Sequence, residues 1–453
     1  MRGGSGAAGQ RGKPIAGQQG SRAAARSTIS LVLVLAFIAG TSTAQQTAPR
    51  PRGPAAPQTA PPPRHPAAEL TVYLMTMGPG KAVWERFGHN AIWIHDPVQG
   101  TDKAYNYGLF DLRQENFLVR FLQGRMWYWM QGFPAQSYVE LYRRDNRSVW
   151  VQELEIPPPA RRELQRFLEW NERPENRFYH YDYYRDNCST RVRDALDRAL
   201  GGRIRQETSE LATGRTYRFH TRRLTANDPL VYTGLLLALG QPVDRPLSAW
   251  DEMFLPLAVR EHLRRITVPG SDGRLTPLVR SEQTLFESSD TPPPDRPPFW
   301  LPVYLGIGVV LGSVIFLLGA SARRSRLARS GLIVVSVGWA LLVGMIGLIL
   351  AGLWGLTDHA AAYDNENLLQ ANLLALGLLW LVPKALRGST TGRRALLLAA
   401  IVLGLSLLGL VLKLLPAFYQ MNGEIIALAL PIHLGVAAAL WQLRRSHQTR
   451  DFP

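Results

Sequence analysis

The sequence is poor in cysteine. Only one cysteine, Cys188, occurs among its 453 residues, and a single cysteine cannot form an intrachain disulfide. Zinc sites built from several thiolates are excluded for the same reason. Glycine-rich phosphate loops, closely spaced histidine pairs and clusters of metal-binding carboxylates are also absent from the sequence. We therefore predict no metal and no cofactor.

Acidic residues are absent from the first 68 positions, which contain eight basic residues. The net charge of the whole chain is +16, a value that would suit a nucleic-acid-binding protein. However, residues 69–298 contain 31 basic and 30 acidic side chains. Residues 299–453 contain 12 basic and 5 acidic side chains. A nucleic-acid-binding protein carries its basic surplus on the folded module. Because the surplus lies at the two ends here, we predict no nucleic-acid partner.

The N-terminus has the pattern of an export signal. Basic residues precede an apolar run at residues 29–40, and Ser42-Thr43-Ala44 offers small residues for cleavage. The run is short for a membrane helix, which needs about 20 residues, although an uncleaved anchor remains an alternative. We assign residues 1–44 to a signal peptide. Residues 45–68 are rich in proline and alanine, which predicts a disordered spacer.

The C-terminal third contains five long apolar stretches, at residues 301–320, 331–356, 368–386, 395–415 and 425–443. Each is long enough to cross a bilayer as a helix. Basic residues follow the first, third and fifth stretches, whereas acidic residues follow the second and fourth. Because basic loops favour the cytoplasmic side, residues 69–290 should lie outside the cytoplasm. We predict a multi-pass protein of the cytoplasmic (inner) membrane, with a linker at 291–300, a five-helix domain at 301–443 and a cytoplasmic tail at 444–453.

The 69–290 segment is long enough for one sizeable domain. Runs of β-forming residues predict strands at 70–77, 91–94, 104–107 and 149–156. Helical spacing predicts helices at 159–171, from residue 187 onward, at 230–239 and at 248–263. The aromatic run at 126–130 fits either a core strand or an interfacial belt. The segment therefore predicts a mixed domain of helices and strands.

Cys188 is a candidate nucleophile. It lies at the start of a predicted helix, where the positive end of the helix dipole lowers the pKa of a thiol. A buried, inert cysteine is the alternative. His89 is the candidate general base, because it follows a glycine at the start of a predicted strand, which would hold the imidazole rigidly. Asn106, on the next strand, is either the residue that orients this imidazole or an ordinary strand-edge asparagine.

These residues resemble a known family. A histidine on a strand, followed later by a cysteine that opens a helix, is similar to the circularly permuted papain-like NlpC-type hydrolases and lecithin:retinol acyltransferase. More narrowly, residues 70–385 resemble the Lnb family of lipoprotein acyltransferases. The matching motifs are MGPG at 77–80, WERFGHN at 84–90, YNYG at 105–108, DNCST at 186–190, WDEMFLP at 250–256, DH at 358–359 and NENLL at 365–369.

The resemblance implies an α+β, circularly permuted papain-like domain outside the cytoplasm, followed by an all-α membrane domain of about five helices. It also implies that an acyl chain moves within a lipoprotein, from the glycerol ester to the α-amine of the N-terminal cysteine. Cys188 would be the nucleophile and His89 the base. The expected partners are a lipid or lipoprotein substrate and the bilayer. Two alternatives stay open: a thiol hydrolase of peptidoglycan amide or lipid ester bonds, and a non-catalytic membrane-anchored scaffold.

Polar residues of the motifs are candidates for substrate binding. These are Asn90, Tyr107, Asn187, His359 and Asn365. The last two follow the second predicted span, on the same side of the membrane as the 69–290 domain. There they either line a cleft for the lipid head group or are ordinary loop and interfacial residues.

Overall fold

The computed structural model describes residues 70–111, 116–270, 273–387 and 391–448. The predicted signal peptide, the spacer and the last five residues of the predicted tail lie outside these ranges. Within them, a sheet-rich domain comes first and is followed by a helical region.

Eleven strands occur in the described part of the sheet-rich domain: β1 (Thr71–Met77), β2 (His89–Asp96), β3 (Thr101–Leu109), β4 (Trp127–Pro134), β5 (Val149–Leu154), β6 (Phe178–His180), β7 (Ala212–Thr216), β8 (Pro246–Ser248), β9 (Thr267–Pro269), β10 (Leu275–Pro277) and β11 (Val279–Phe286). Seven of them form one sheet in the order β11-β5-β1-β2-β3-β4-β6, and every adjacent pair is antiparallel. The other four form two-stranded pairs, β7 with β8 and β9 with β10.

The helices of this domain are α1 (Phe117–Gln123), α2 (Ala135–Arg144), α3 (Pro158–Glu172), α4 (Cys188–Ala199), α5 (Arg203–Thr208), α6 (Tyr217–Leu224), α7 (Pro229–Ala238), α8 (Ala249–Glu252) and α9 (Pro256–Leu263). They bury both faces of the large sheet, whose side chains alternate between the two faces. On β1, Val72 and Leu74 pack with α3 and α4, whereas Tyr73 and Met75 pack with α2. The candidate residues His89, on β2, and Asn106, on β3, therefore belong to a sheet that is covered on both faces.

All four predicted strands are present, and the two at 91–94 and 104–107 are longer than expected. The segment 248–263 forms two helices rather than one, since Pro256 has no N–H for a continuous helix and instead begins α9. The aromatic run at 126–130 contributes to a strand in which Met130 is fully buried. The edge strand β11 was not predicted, because its exposed polar residues give no alternating pattern.

The helical region contains α10 (Leu301–Ser321), α11 (Arg326–Leu356), α12 (Leu378–Leu386), α13 (Gly392–Val411) and α14 (Gly423–Gln448). Five segments of the described chain are long and apolar enough to cross a membrane: Leu301–Ser321, Arg326–Leu356, Glu366–Leu386, Gly392–Leu414 and Gly423–Arg444. The third differs from the uniform helix that we expected. It begins with two 3-10 turns, Glu366–Leu369 and Leu373–Gly377, before α12.

The sheet-rich domain contacts one end of this helix bundle, and the basic loops lie at the other end. Arg323 donates a hydrogen bond to the backbone oxygen of Leu443 at 2.6 Å, which places the C-terminal ends of α10 and α14 side by side. At the opposite end, Arg125 pairs with Asp358 at 2.6 Å. The acidic loops predicted to share a side with the domain are therefore the ones that touch it.

Candidate active site

Cys188 is the first residue of α4, and Asn187 caps this helix. The side-chain oxygen of Asn187 accepts hydrogen bonds from the backbone N–H groups of Ser189 and Thr190, at 2.9 and 3.0 Å. Its amide nitrogen donates to two backbone oxygens, at 2.9 and 3.0 Å. Asparagine is a favoured residue at this position because it satisfies N–H groups that have no partner within the helix. The backbone of Cys188 is therefore held firmly at the helix start.

His89 is the first residue of β2, directly after a glycine in the left-handed region. Gly88 has a φ of +84°, and a Cβ there would lie 2.8 Å from the backbone oxygen of Met77, so only glycine fits without strain. On the neighbouring strand, a Cβ added to Gly108 would lie 3.2 Å from the Cβ of Cys188. The backbone N–H of Asn90, one residue beyond His89, interacts with the thiol. Cys188 and the start of β2 are thus brought together.

Asn106 lies on β3, where it is fully buried and where its Nδ2 donates to the backbone oxygen of Ala104 at 2.9 Å. Its Oδ1 and the Nε2 of His89 are both buried, and neither has a hydrogen-bond partner among the described residues. The amide of Asn106 acts on the imidazole and raises its pKa. A small rotation would allow His89 Nε2–H to donate to Asn106 Oδ1, which would leave Nδ1 of the ring for the thiol.

His89 is held in its neutral form. Burial lowers the pKa of its imidazole, and the positive charge of Arg147 lowers it further, so that the pKa is about 3 despite the opposing effect of Asn106. Arg147 is only 2% exposed. Its side chain donates to the backbone oxygen of Gly78 at 3.0 Å and pairs with Glu85 at 3.5 Å. A fixed cation therefore disfavours a second positive charge on His89.

The thiol of Cys188 is also held in its neutral form. Burial raises its pKa above the ordinary value of 9.0, and the surrounding N–H groups offset this effect only in part. A neutral thiol beside a neutral imidazole is suited to general-base catalysis, in which the imidazole accepts the proton as the sulfur attacks.

Three of the predicted substrate-binding residues are buried supports of this site. Asn90 is fully buried, donates to Thr76 at 2.9 Å and accepts from Ser189 at 2.9 Å. Tyr107 is 1% exposed, and its hydroxyl donates to Asn171 at 2.8 Å. Asn187 is the helix cap described above. The side-chain polar atoms of all three are therefore hydrogen-bonded within the fold.

The other two predicted substrate-binding residues contact the sheet-rich domain from the helix bundle. The Nε2 of His359 bonds to the backbone oxygen of Phe121 at 2.9 Å, and its ring stacks on Tyr183 with centroids 6.4 Å apart. Asn365 is 2% exposed and donates to two backbone oxygens at the end of α7. The structure therefore brings His359 towards the aromatic residues near Cys188, and places Asn365 elsewhere.

A row of tyrosines connects the thiol with His359. Tyr128 and Tyr181 pack into the same core as Cys188, and their rings stack with centroids 4.0 Å apart. Tyr181 in turn lies edge-on to Tyr183 at 5.8 Å, and Tyr183 stacks on His359. These side chains form an aromatic wall that runs from Cys188 to the loop after α11. We call it the tyrosine wall.

Four residues around the site were missed in the sequence. Gly108 belongs to the YNYG motif. A glycine in a motif can mark a close approach of the backbone, so this residue could have been predicted to contact Cys188. Arg147 had none, because it comes 58 positions after His89 in a segment without a motif. Tyr138 and Tyr142 were also unforeseen, although the rings of both lie 6.3 Å from that of His89.

Residues 64–227 match the family described as the Lnb N-terminal periplasmic domain, a range that includes His89, Asn106 and Cys188. No curated protein and no solved structure matches the chain. Among the described residues, no group of histidine, cysteine or carboxylate side chains is arranged to hold a metal ion.

Proposed function

Because this chain is an Lnb-type protein whose N-terminal domain precedes membrane-spanning helices, we propose that it is a membrane-anchored cysteine acyltransferase that modifies lipoproteins. The observation that carries the proposal is the position of Cys188, at a capped helix start against the strand that begins with His89. A histidine whose buried Nε2 has no partner, next in sequence to a residue whose N–H contacts an unpaired cysteine, supports thiol catalysis.

The proposed reaction has two steps. In the first, the sulfur of Cys188 attacks the carbonyl carbon of the glycerol ester while His89 accepts the thiol proton. The ester C–O bond breaks, His89 returns that proton to the leaving glycerol oxygen, and the acyl group remains on Cys188 as a thioester. In the second, an α-amine attacks the thioester, His89 accepts the amine proton, and the C–S bond breaks to give an amide and the thiol.

Neighbouring groups have supporting roles in this proposal. Asn106 orients the imidazole of His89 by accepting from Nε2. The backbone N–H groups of Asn90 and Cys188, which act on the thiol, stabilise the oxyanion that forms in each step. The side chains of Asn187 and Asn90 keep the helix start and the strand in register.

The surroundings of the thiol support a substrate that carries an acyl chain. The tyrosine wall gives an acyl chain an apolar, aromatic surface between Cys188 and the helix bundle. His359 stands at the bundle end of this wall and is placed to meet the polar part of a lipid. We also propose that the sheet-rich domain lies on the periplasmic side of an inner membrane, since it is opposite the basic loops.

The same arrangement supports a circularly permuted papain-like fold for the domain. An antiparallel sheet carries the histidine on a strand, the cysteine opens a helix packed on that sheet, and the histidine comes first in the chain. We keep the proposed domain limits at 69–290 and 301–443, since residues 287–300 between them form no helix or strand.

The test uses the full-length protein in nanodiscs with a diacylglyceryl lipopeptide as substrate. Intramolecular transfer leaves the total mass unchanged, so tandem mass spectrometry must locate the acyl chain on the amine or on the ester. We expect N-acylation with the native chain and none with Cys188→Ala or with the near-isosteric Cys188→Ser. Release of free fatty acid without N-acylation would indicate that the protein is a hydrolase rather than a transferase. Full activity of Cys188→Ala would refute thiol catalysis.

A further inference from the structure

The C-terminal end of α7 is capped by side chains from the helix bundle. The last four carbonyl groups of a helix have no partner within it, and leaving them unpaired when buried is costly. Asn367 donates to the backbone oxygens of Leu236 and Leu237, at 2.9 and 3.1 Å. Asn365 donates to those of Leu237 and Ala238, at 2.8 and 3.1 Å. Three helix carbonyls are thus satisfied by two bundle asparagines.

The residues just after α7 are held in the same way. Gln420, from the loop before α14, donates to the backbone oxygen of Leu239 at 3.0 Å. Gly240 donates its N–H to the backbone oxygen of Ala361 at 2.8 Å. A Cβ on Gly240 would lie only 1.8 Å from the backbone oxygen of Tyr363, so the two chains approach as closely as glycine permits. The bundle and the end of α7 therefore form one packed unit.

The N-terminal end of α7 is tied to the strand start that carries His89. Asp228 caps α7 by accepting from the N–H of Val231 at 3.1 Å, and it also pairs with Arg86 at 2.9 Å. Arg86 comes three residues before His89 and belongs to the same WERFGHN motif. One helix, about 15 Å long at 1.5 Å per residue, thus connects the bundle to the segment that positions the proposed base.

Contacts along the middle of α7 make the connection continuous. The hydroxyl of Tyr232 donates to Glu424 at 3.3 Å, and Arg222 of the neighbouring helix α6 pairs with the same carboxylate. Thr233 is hydrogen-bonded to the hydroxyl of Tyr304 on α10 at 2.5 Å. Helices α6 and α7 therefore join the sheet-rich domain to three segments of the bundle, in addition to the contacts that Asp358 and His359 make near α1.

We propose that Asn365 and Asn367 are positioning residues, which act through α7 to hold the Cys188–His89 pair at a fixed place over the membrane helices. This role rests on the proposed function, because it matters only for a substrate that is itself held in the bilayer. A small water-soluble reagent reaches the thiol in any orientation of the domain, whereas a membrane-bound ester reaches it only when the tyrosine wall meets the bundle. The hydrogen bonds of Asn365 and Asn367 to α7 should therefore affect acyl transfer from a membrane-bound ester, but not alkylation of the thiol by a water-soluble reagent.

The first measurement is geometric and needs no acyl chemistry. Spin labels are placed at Glu163→Cys in the sheet-rich domain and Leu414→Cys in the bundle, in a Cys188→Ser background; both native side chains are exposed. The distribution of distances between the two spin labels is recorded by double electron–electron resonance in nanodiscs. We expect a narrow distribution with the native asparagines and a broader one with Asn365→Leu/Asn367→Leu. The matched control is Asn176→Leu, which removes a similar amide-to-carbonyl bond to Trp170 within the domain.

The second measurement compares two reactions of the otherwise native chain. Asn365→Leu/Asn367→Leu should lower kcat/KM for the lipopeptide by roughly 10- to 100-fold, the usual effect of misplacing reactants by about 1 Å. The rate at which iodoacetamide alkylates Cys188 should stay within about twofold of the native value, and Asn176→Leu should change neither rate. An unchanged distance distribution, or an equal loss in both reactions, would overturn the proposal. If the native chain shows no acyl transfer, the proposed function fails, while the distance measurement still decides whether α7 fixes the domain.

Discussion

The reactivity of Cys188 should depend steeply on pH, because the structure contains a neutral thiol and no thiolate–imidazolium pair. Burial raises the pKa of the thiol above 9.0 and, together with Arg147, lowers that of His89 to about 3. With a pKa of 9.0 or more, at most about 1% of the thiol is ionised at pH 7. The rate of alkylation should therefore rise about tenfold for each pH unit from 6 to 8.5.

The assay is simple because Cys188 is the only cysteine of the chain. Iodoacetamide is added to the full-length protein in nanodiscs, and the alkylated fraction is followed by intact-mass spectrometry at each pH. The guanidinium-unfolded chain is the control, and its exposed thiol should react faster at pH 7, because burial raises the pKa of the native thiol. In His89→Ala the slope should persist, because thiolate forms without help from the imidazole. A plateau between pH 5 and 8, or a native rate above the unfolded one at pH 7, would refute this account.

Two further predictions concern the same site. The pKa of His89 is about 3 in the folded chain, against an ordinary value of 6.5. Between pH 3 and pH 6.5 the unfolded chain therefore binds a proton that the native chain does not. The free energy of unfolding consequently falls as the pH is lowered. His89→Gln should remove about 2 kcal/mol of this loss between pH 7 and pH 5. The free energy of unfolding is measured by guanidinium unfolding in detergent. An identical pH dependence in the native chain and in His89→Gln would contradict the burial of His89. Gly108→Ala should lower the rates of both acyl transfer and alkylation. Gly108 has a φ of +88°, and the added Cβ would lie 3.2 Å from the Cβ of Cys188. Unchanged rates would show that β3 does not approach the thiol so closely.

The arrangement of the chain was predictable from the sequence to a useful degree. The five apolar stretches coincide with the five candidate spans, because length and mean hydropathy are sums over neighbouring residues and need no knowledge of the fold. Strand alternation and helical spacing are equally local, and they located β1, β5, α3 and α4. The break in the third span was not foreseen. At the start of this segment, Asn365 and Asn367 donate to carbonyls of α7 about 130 positions earlier in the chain.

The candidate site was predictable only in part. Cys188 stood out because it is the single cysteine, and His89 because a glycine precedes it at a strand start. Asn90, Tyr107 and Asn187 were equally plausible as substrate ligands, since a motif does not reveal whether a polar side chain faces a cleft or the interior. In the structure these side chains are 0%, 1% and 5% exposed and are hydrogen-bonded within the fold.

The sequence by itself determined which residues are available for chemistry and which segments are apolar enough for a bilayer, because both depend on composition and local order. Only the tertiary structure decided the protonation of the candidate pair. That state depends on the burial of Cys188 and His89 and on the charge of Arg147, which the fold brings from 58 positions away in the sequence. It also decided that Asn365 and Asn367 of the bundle cap the C-terminal end of α7. Burial and charge proximity arise from contacts between distant segments, and no local pattern records them.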